Sequence, residues 1–297
     1  MILVFDNYKS LFYMSQFKTF ISLTRLNRPI GYMLLFWPCS WGLALAYNYE
    51  ENKSLFFYYL LLFFLGSVLM RSAGCIFNDI VDKDIDKKVE RTKLRPIASG
   101  RINIKQAFVY VLLLCFLSLI ILIQFNFFTI FLGLASMLLA FSYPFMKRIT
   151  YWPQLFLGLT FNWGIIMGWT AITGYISYEI TLLYFSAIFW TLGYDTIYGA
   201  QDIVDDEVIG VKSTSIKFKS NIKLFVSLCY LISSTFLIIS IYSKMNSIYS
   251  FILLILFILT LIYQIRIFDK NNPKTCLKAF KINNFSGLTL FSAIMFL

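Results

Sequence analysis

The chain has 297 residues, 59% of them hydrophobic and 19% aromatic, with a mean hydropathy of +0.73 and a formal net charge of +11. This exceeds what a soluble globular domain carries and marks a polytopic α-helical membrane protein. The lack of histidine removes histidine bases and histidine metal or haem ligands, the singly placed Cys39, Cys75, Cys115, Cys229 and Cys276 argue against disulfide frameworks and zinc sites, and basic residues scattered over short loops argue against a nucleic-acid partner.

Residues 1–28 alternate aromatics with Lys9, Lys18, Arg25 and Arg28 and contain no cleavable apolar stretch. They read as a cytoplasmic lead-in lying on the membrane surface. About nine apolar spans follow, near 30–47, 55–80, 106–124, 127–146, 153–173, 180–200, 222–242, 248–266 and 277–297. Gly158, Gly164 and Gly168 in the fifth suit close helix packing. No linker divides the chain, so 1–297 is expected to be one domain. With the N-terminus inside, nearly all loop lysines and arginines fall on the cytoplasmic side, and only Lys53 and Lys244 fall opposite. That asymmetry predicts an odd number of spans, with the C-terminus outside.

The acidic residues are not spread evenly. Most of the 15 lie in or beside two segments, Asn78 to Asp86 and Asp195 to Glu207, at the cytoplasmic ends of spans 2 and 6. Clusters four spans apart suggest two diverged four-helix repeats plus one helix, with the clusters facing each other. Asn78, Asp82 and Asp86 recur every four residues, and Asp195, Tyr198, Asp202 and Asp206 follow spacings of three, four and four, so each set shares one helix face. Carboxylates this close repel unless a counter-charge joins them. A hard divalent cation such as Mg²⁺ supplies it, and two facing sets suggest two ions clamping a diphosphate. Arg91, Lys93 and Arg95 trail the first cluster, and Gly210, Lys212, Ser213 and Thr214 trail the second. Such donors suit a departing diphosphate.

These segments resemble the UbiA superfamily of intramembrane prenyltransferases, and within it the branch that prenylates 4-hydroxybenzoate in ubiquinone biosynthesis. Residues 78–100 (NDIVDKDIDKKVERTKLRPIASG) are similar to its NDxxDxxxD motif with an RTxxRP extension, and residues 194–214 (YDTIYGAQDIVDDEVIGVKST) to its YDTxYAxQDxxDDxxxGVKST pattern. Arg28-Pro29-Ile30-Gly31 leading to Leu34-Leu35-Phe36-Trp37-Pro38, and Tyr143 to Arg148 followed by Pro153-Gln154, resemble the same branch. Three departures stand out: Gly199 and Ser215 replace usual alanines, and Ile80 replaces a frequent aromatic.

The resemblance implies a helical bundle around a central cavity, with the polyprenyl tail leaving sideways into lipid and the diphosphate at the cytoplasmic end. Asn78, Asp82, Asp86, Asp202 and Asp206 would hold the Mg²⁺ ions. Arg91, Arg95, Lys212, Ser213 and Thr214 would take up the diphosphate, and ring attack on the allylic cation would join the tail ortho to the phenol hydroxyl. Asp195 and Tyr198 are candidates to stabilise the cation or accept the ring proton. Arg148, beside Lys147, is the candidate partner of the benzoate carboxylate. Arg28 and Arg71 are further substrate-binding candidates, Arg71 because a charge inside span 2 needs a partner within the bundle. The implied setting is a bacterial inner membrane or a mitochondrial inner membrane, with other quinone-biosynthesis proteins as conceivable partners. Other acceptors within the superfamily (dihydroxynaphthoate, homogentisate, haem, a glycerol-phosphate lipid) stay open, as does an unrelated cation-coupled transporter. The transporter leaves the RTxxRP and GVKST extensions unexplained.

Overall fold

The computed structural model describes residues 16–48 and 52–297. Most of the expected surface lead-in therefore lies outside the described residues. Its described part is helical over 16–24, and Arg25 then ends this helix with a left-handed backbone, φ 57°.

The long helices are α1 (Ile30–Tyr47), α2 (Lys53–Val81), α3 (Ile104–Leu122), α4 (Phe127–Ile149), α5 (Pro153–Thr173), α6 (Tyr178–Gly199), α7 (Ile222–Ile241), α8 (Ile248–Ile267) and α9 (Pro273–Met295). No strand interrupts them among the described residues. Their starts are written locally. Asn52, Asn103, Asn126 and Ser177 each accept a hydrogen bond from a backbone N–H three residues on, satisfying a donor that a helix N-terminus otherwise leaves unpaired. Pro153 and Pro273 open α5 and α9 where a missing N–H costs nothing.

Among the described residues, eight helical stretches are long and apolar enough to cross a membrane; α9 is not one of them. Lys274, Lys278 and Lys281 in its first turns lower its hydropathy. It is nonetheless part of the bundle. Trp37 Nε1 donates to Asn284 Oδ1 at 2.9 Å, Trp41 Nε1 to the Gly287 carbonyl at 3.0 Å and Asn48 Nδ2 to the Ile294 carbonyl at 2.8 Å, tying α9 along α1.

Helices α1 and α5 run against each other at backbone distance. A Cβ on Gly42 would overlap the Ile165 carbonyl, and one on Gly168 the Cys39 carbonyl, so Gly164 and Gly168 of α5 pack on α1, while Gly158 packs on Ile188 of α6. The pairing of α2 with α3 recurs as α6 with α7, and that of α1 with α2 as α5 with α6, as a four-helix repeat requires. Burial grades outward. In α6, 78% of the spanning window is buried, against 22% in α3 and in α4, whose remaining apolar side chains face outward as lipid-exposed surface does. Consecutive α3 and α4 barely touch each other, which leaves a lateral gap between them.

Candidate active site

Neither acidic stripe lies on one unbroken helix, as the spacing alone suggested. Helix α2 ends at Val81, and a single turn, Lys83–Asp86, follows; yet Asp82 N–H still donates to the Asn78 carbonyl at 2.9 Å and Asp86 N–H to the Asp82 carbonyl at 2.8 Å. The face is kept across the break. In the second stripe, α6 gives way to a 3₁₀ turn, Ala200–Asp202, and then a short helix, Ile203–Ile209. Ser215 Oγ donates to the Thr196 carbonyl at 2.8 Å just where α6 ends, and Gly199 leaves room for that hydroxyl. The Thr196 carbonyl thus has a side-chain donor at the turn where the helix tightens.

Asn78, Asp82, Asp86, Asp202 and Asp206 all line one polar cavity of about 180 Å³ at the end of the bundle, together with Asp195, Arg91, Arg95, Lys147, Lys212 and Ser213. The spacing-based expectation that the two clusters face each other fits this arrangement. Among the described residues, no three acids converge into a ready-made metal cage. Each of three acids instead holds a cation. Asp82 accepts from Lys147 Nζ, from Asn78 Nδ2 at 2.9 Å and from Arg148 Nη2 at 3.3 Å. Asp86 accepts from Arg95 Nη1 at 2.8 Å, and Asp202 takes Arg91 in a two-point grip of 2.8 and 2.6 Å.

Burial pushes the Asp82 carboxyl above the usual carboxylate range, against the pull of Lys147. Burial works the other way on Arg91, but its bonds to Asp202 and Tyr198 prevail and hold its guanidinium firmly charged. The donor set is all hard oxygen, and the carboxylates approach from both sides of one small cavity with cations at hand to take up an anion. These features fit divalent metal ions beside a diphosphate.

A second cavity of about 640 Å³ adjoins the first and shares Asn78, Arg91, Arg95, Tyr143 and Asp195 with it. It runs between α1, α2, α4 and α5 and includes Phe116, Leu119 and Leu134, which are also exposed on the outer surface beside the α3–α4 gap. Its polar groups besides the shared ones include Arg28, Arg71 and Tyr198. Arg71 stands out. Its Nε is buried with no hydrogen-bond partner, its guanidinium lies over the Phe161 ring at 5.2 Å, and a Cβ on Gly31 would stand 3.1 Å from Nε, so glycine there makes room for it.

Two expected substrate contacts lie elsewhere. Arg148 lines neither of these cavities; its Nη2 donates to the Val81 carbonyl at 2.8 Å and to Asp82. Thr214 also lines neither; it is fully buried, with its hydroxyl 2.7 Å from that of Thr196 and its N–H on Gln154 Oε1 at 3.0 Å. Lys212 and Ser213 do line the polar cavity, although Lys212 Nζ donates to the Ile149 carbonyl and Ser213 Oγ accepts from the Ile216 N–H. Three further residues at the site carry no sign of a role in the sequence pattern: Asp79 and Arg25, which form an ion pair of 2.5 Å, and Tyr143, which borders both cavities. Asp79 lay inside the first motif, but one residue off its four-residue period.

Residues 35–285 match the model of the UbiA prenyltransferase family. The chain belongs to that family. It is 44% identical over 286 residues to the 4-hydroxybenzoate polyprenyltransferase, mitochondrial, of Arabidopsis thaliana, covering 96% of this chain and 70% of the relative. The protein of the same name from Caenorhabditis elegans is 42% identical over 279 residues, covering 94% of this chain and 78% of the relative. Among solved structures, the apo UbiA homolog from Aeropyrum pernix K1 superposes with a TM-score of 0.76 at 21% identity, covering 90% of this chain and 98% of that one. A UbiA homolog from Archaeoglobus fulgidus bound to GPP and Mg²⁺ gives 0.71 at 17%, covering 93% and 99%. These structural likenesses show that the family fold is present here.

Proposed function

We propose that this protein transfers a polyprenyl group from polyprenyl diphosphate to the ring carbon ortho to the hydroxyl of 4-hydroxybenzoate, a step of ubiquinone biosynthesis. The observation that carries this reading is the joining of two cavities: a small one walled by acids and cations, opening into a large one that reaches lipid between α3 and α4. The first suits a metal-bound diphosphate and the second an aromatic acceptor and a long apolar tail. The acceptor comes from the relatives, which carry 4-hydroxybenzoate in their names at 42–44% identity over nearly the whole chain.

Asn78, Asp82, Asp86, Asp202 and Asp206 would hold Mg²⁺. The ion supplies charge that steadies the leaving diphosphate as the allylic carbon–oxygen bond breaks. Arg91, Arg95 and Lys147, released from the acids they now hold, are placed to bind the diphosphate oxygens, with Lys212 and Ser213 beside them. Arg91 holds Asp202 by two points, at 2.6 and 2.8 Å. The aromatic and apolar walls of the large cavity keep water from the allylic cation. Asp195 and Tyr198 line that cavity next to the polar end, where the cation forms and the ring proton leaves.

Arg71 is our partner for the benzoate carboxylate, in preference to Arg148. Arg71 reaches the large cavity with an unpaired buried N–H, whereas Arg148 lines neither cavity and its guanidinium is taken up by the Val81 carbonyl and Asp82. A cation at that depth is costly without partners; Asp195 lies near it, and a bound carboxylate adds an acceptor for the unpaired Nε. With the N-terminus inside, the polar cavity opens on the cytoplasmic or matrix face of a bacterial or mitochondrial inner membrane. The single chain 1–297 then acts as one domain.

The test is to incubate membranes carrying the protein with a polyprenyl diphosphate, Mg²⁺ and, in parallel, labelled 4-hydroxybenzoate, dihydroxynaphthoate and homogentisate. A lipid-soluble labelled product from hydroxybenzoate alone supports the reading. Product from another acceptor instead, or from none, overturns it.

A further inference from the structure

Asp79 follows Asn78 directly but stands about 100° around α2 from the Asn78, Asp82 and Asp86 face, so it cannot join them at a common ion. It is 2% exposed, and its carboxylate is engaged by arginines rather than turned toward the second acidic cluster. Its Oδ1 accepts from Arg25 Nη2 at 2.5 Å and from Arg95 Nη1 at 3.1 Å, and the same Arg95 Nη1 reaches Asp86 Oδ2 at 2.8 Å. Four buried or half-buried charges therefore form a chain, Arg25, Asp79, Arg95, Asp86, that runs from the lead-in helix through α2 to the loop after the first motif.

Both ends of this chain govern cations that line the large cavity. Arg95 is one of them directly. At the other end Arg25 lines it too, as does Arg28, whose N–H donates to the Arg25 carbonyl at 2.9 Å, and Arg25 sits in a left-handed conformation that non-glycine residues rarely adopt. An uncommon backbone state persists when its surroundings hold it, and the Asp79 ion pair supplies the carboxylate of that hold, beside a contact with Cys75.

We propose that Asp79 is a positioning residue for the diphosphate end of the site: by fixing Arg95 and Arg25 it keeps Arg95 and Arg28 at the cavity mouth when Asp86 gives up its guanidinium partner. The inference rests on the prenyl-transfer reading above. Without Asp79, Arg95 keeps Asp86 as its one carboxylate partner among the described residues and is drawn toward it, and Arg25 loses the carboxylate that holds it. Position and net charge then make opposite forecasts. Removing a negative charge near a bound anion strengthens binding by electrostatics alone, whereas losing the geometry weakens it.

The experiment measures equilibrium binding of an uncleavable polyprenyl thiodiphosphate to purified protein in Mg²⁺, alongside separate KM values for the diphosphate and for 4-hydroxybenzoate. The proposal expects Asp79→Asn to weaken thiodiphosphate binding at least tenfold and to raise the diphosphate KM likewise, with the hydroxybenzoate KM within twofold of wild type. Asp79→Glu should restore part of the loss, and Arg25→Gln combined with Asp79→Asn should be no worse than Asp79→Asn alone. If Asp79→Asn does not fold, Asp79→Glu carries the test, with a smaller loss confined to the diphosphate. Unchanged or tighter thiodiphosphate binding overturns the proposal, as does a hydroxybenzoate KM that rises equally. A wild type that binds the thiodiphosphate but transfers no prenyl group would instead overturn the functional reading.

Discussion

Gly199 and Ser215 fit each other: a Cβ on Gly199 would lie 2.7 Å from Ser215 Oγ, and that hydroxyl donates to the Thr196 carbonyl at 2.8 Å. Both positions depart from the alanines of the pattern that the second motif resembles. The geometry makes the two departures one change, in which volume removed from the end of α6 is occupied by the added hydroxyl.

The pair is therefore expected to be coupled. Gly199→Ala alone forces a shift at Ser215 and should cost about 1–3 kcal/mol, as overpacking does. Ser215→Ala alone loses a hydrogen bond and should cost about 1 kcal/mol. In the double variant the hydroxyl is gone, and a Cβ at position 199 meets the Cβ at position 215 at an ordinary contact distance of 3.7 Å and the flexible Gln154 Nε2 at 3.3 Å, so the loss should stay near that of Ser215→Ala alone and below the sum of the two single losses. Thermal unfolding of the four proteins in detergent checks this, and strictly additive losses would show that the two residues act separately.

Asp82→Ala and Asp202→Ala are each expected to abolish turnover while the protein still inserts and purifies. Both acids line the polar cavity from opposite motifs, so either loss disables a shared site. Activity within threefold of wild type in either variant, at saturating Mg²⁺, would rule out the clamp.

Arg71→Ala should raise the hydroxybenzoate KM by about 10- to 100-fold and leave the diphosphate KM nearly unchanged. Charge-assisted hydrogen bonds contribute about 1.5–3 kcal/mol each, and about 1.4 kcal/mol is a factor of ten. Arg71→Lys should recover little, because an ammonium lacks the planar two-point contact. Arg148→Ala is the comparison. If its hydroxybenzoate KM rises further than that of Arg71→Ala, the carboxylate belongs to Arg148 and the assignment from cavity lining is wrong.

Gly42→Ala should lower the unfolding temperature by overpacking α1 against α5, at a cost of about 1–3 kcal/mol. The Ile165 carbonyl that its Cβ would overlap is backbone and cannot swing aside. Gly74→Ala, where a Cβ meets nothing within 4 Å, is the control and should leave stability at or above wild type.

What the sequence made legible was local or periodic. Apolar runs placed the long helices within a few residues, and the four-residue spacing of Asn78, Asp82 and Asp86 survives the helix break because their backbone bonds continue through it. The status of the last span was harder, since the three lysines that open α9 dilute its hydropathy while bonds to Trp37, Trp41 and Asn48 hold it in the bundle. Contacts distant in sequence were not legible. Arg91 lies far from Asp202 along the chain, and nothing in either segment alone says that one grips the other. The same holds for Arg25 and Asp79, for Gly42 and Ile165, and for Thr214, whose place in a phosphate-binding pattern gave no sign that its hydroxyl faces Thr196.

The most direct measurement is the structure of the product made by purified protein in lipid nanodiscs from 4-hydroxybenzoate and a polyprenyl diphosphate. The expected product carries a new carbon–carbon bond ortho to the phenol hydroxyl, formed with Mg²⁺, lost in EDTA, regained when Mg²⁺ is added back and absent with Asp82→Ala. A product joined through oxygen, or the same product formed at an undiminished rate in EDTA, would contradict that expectation.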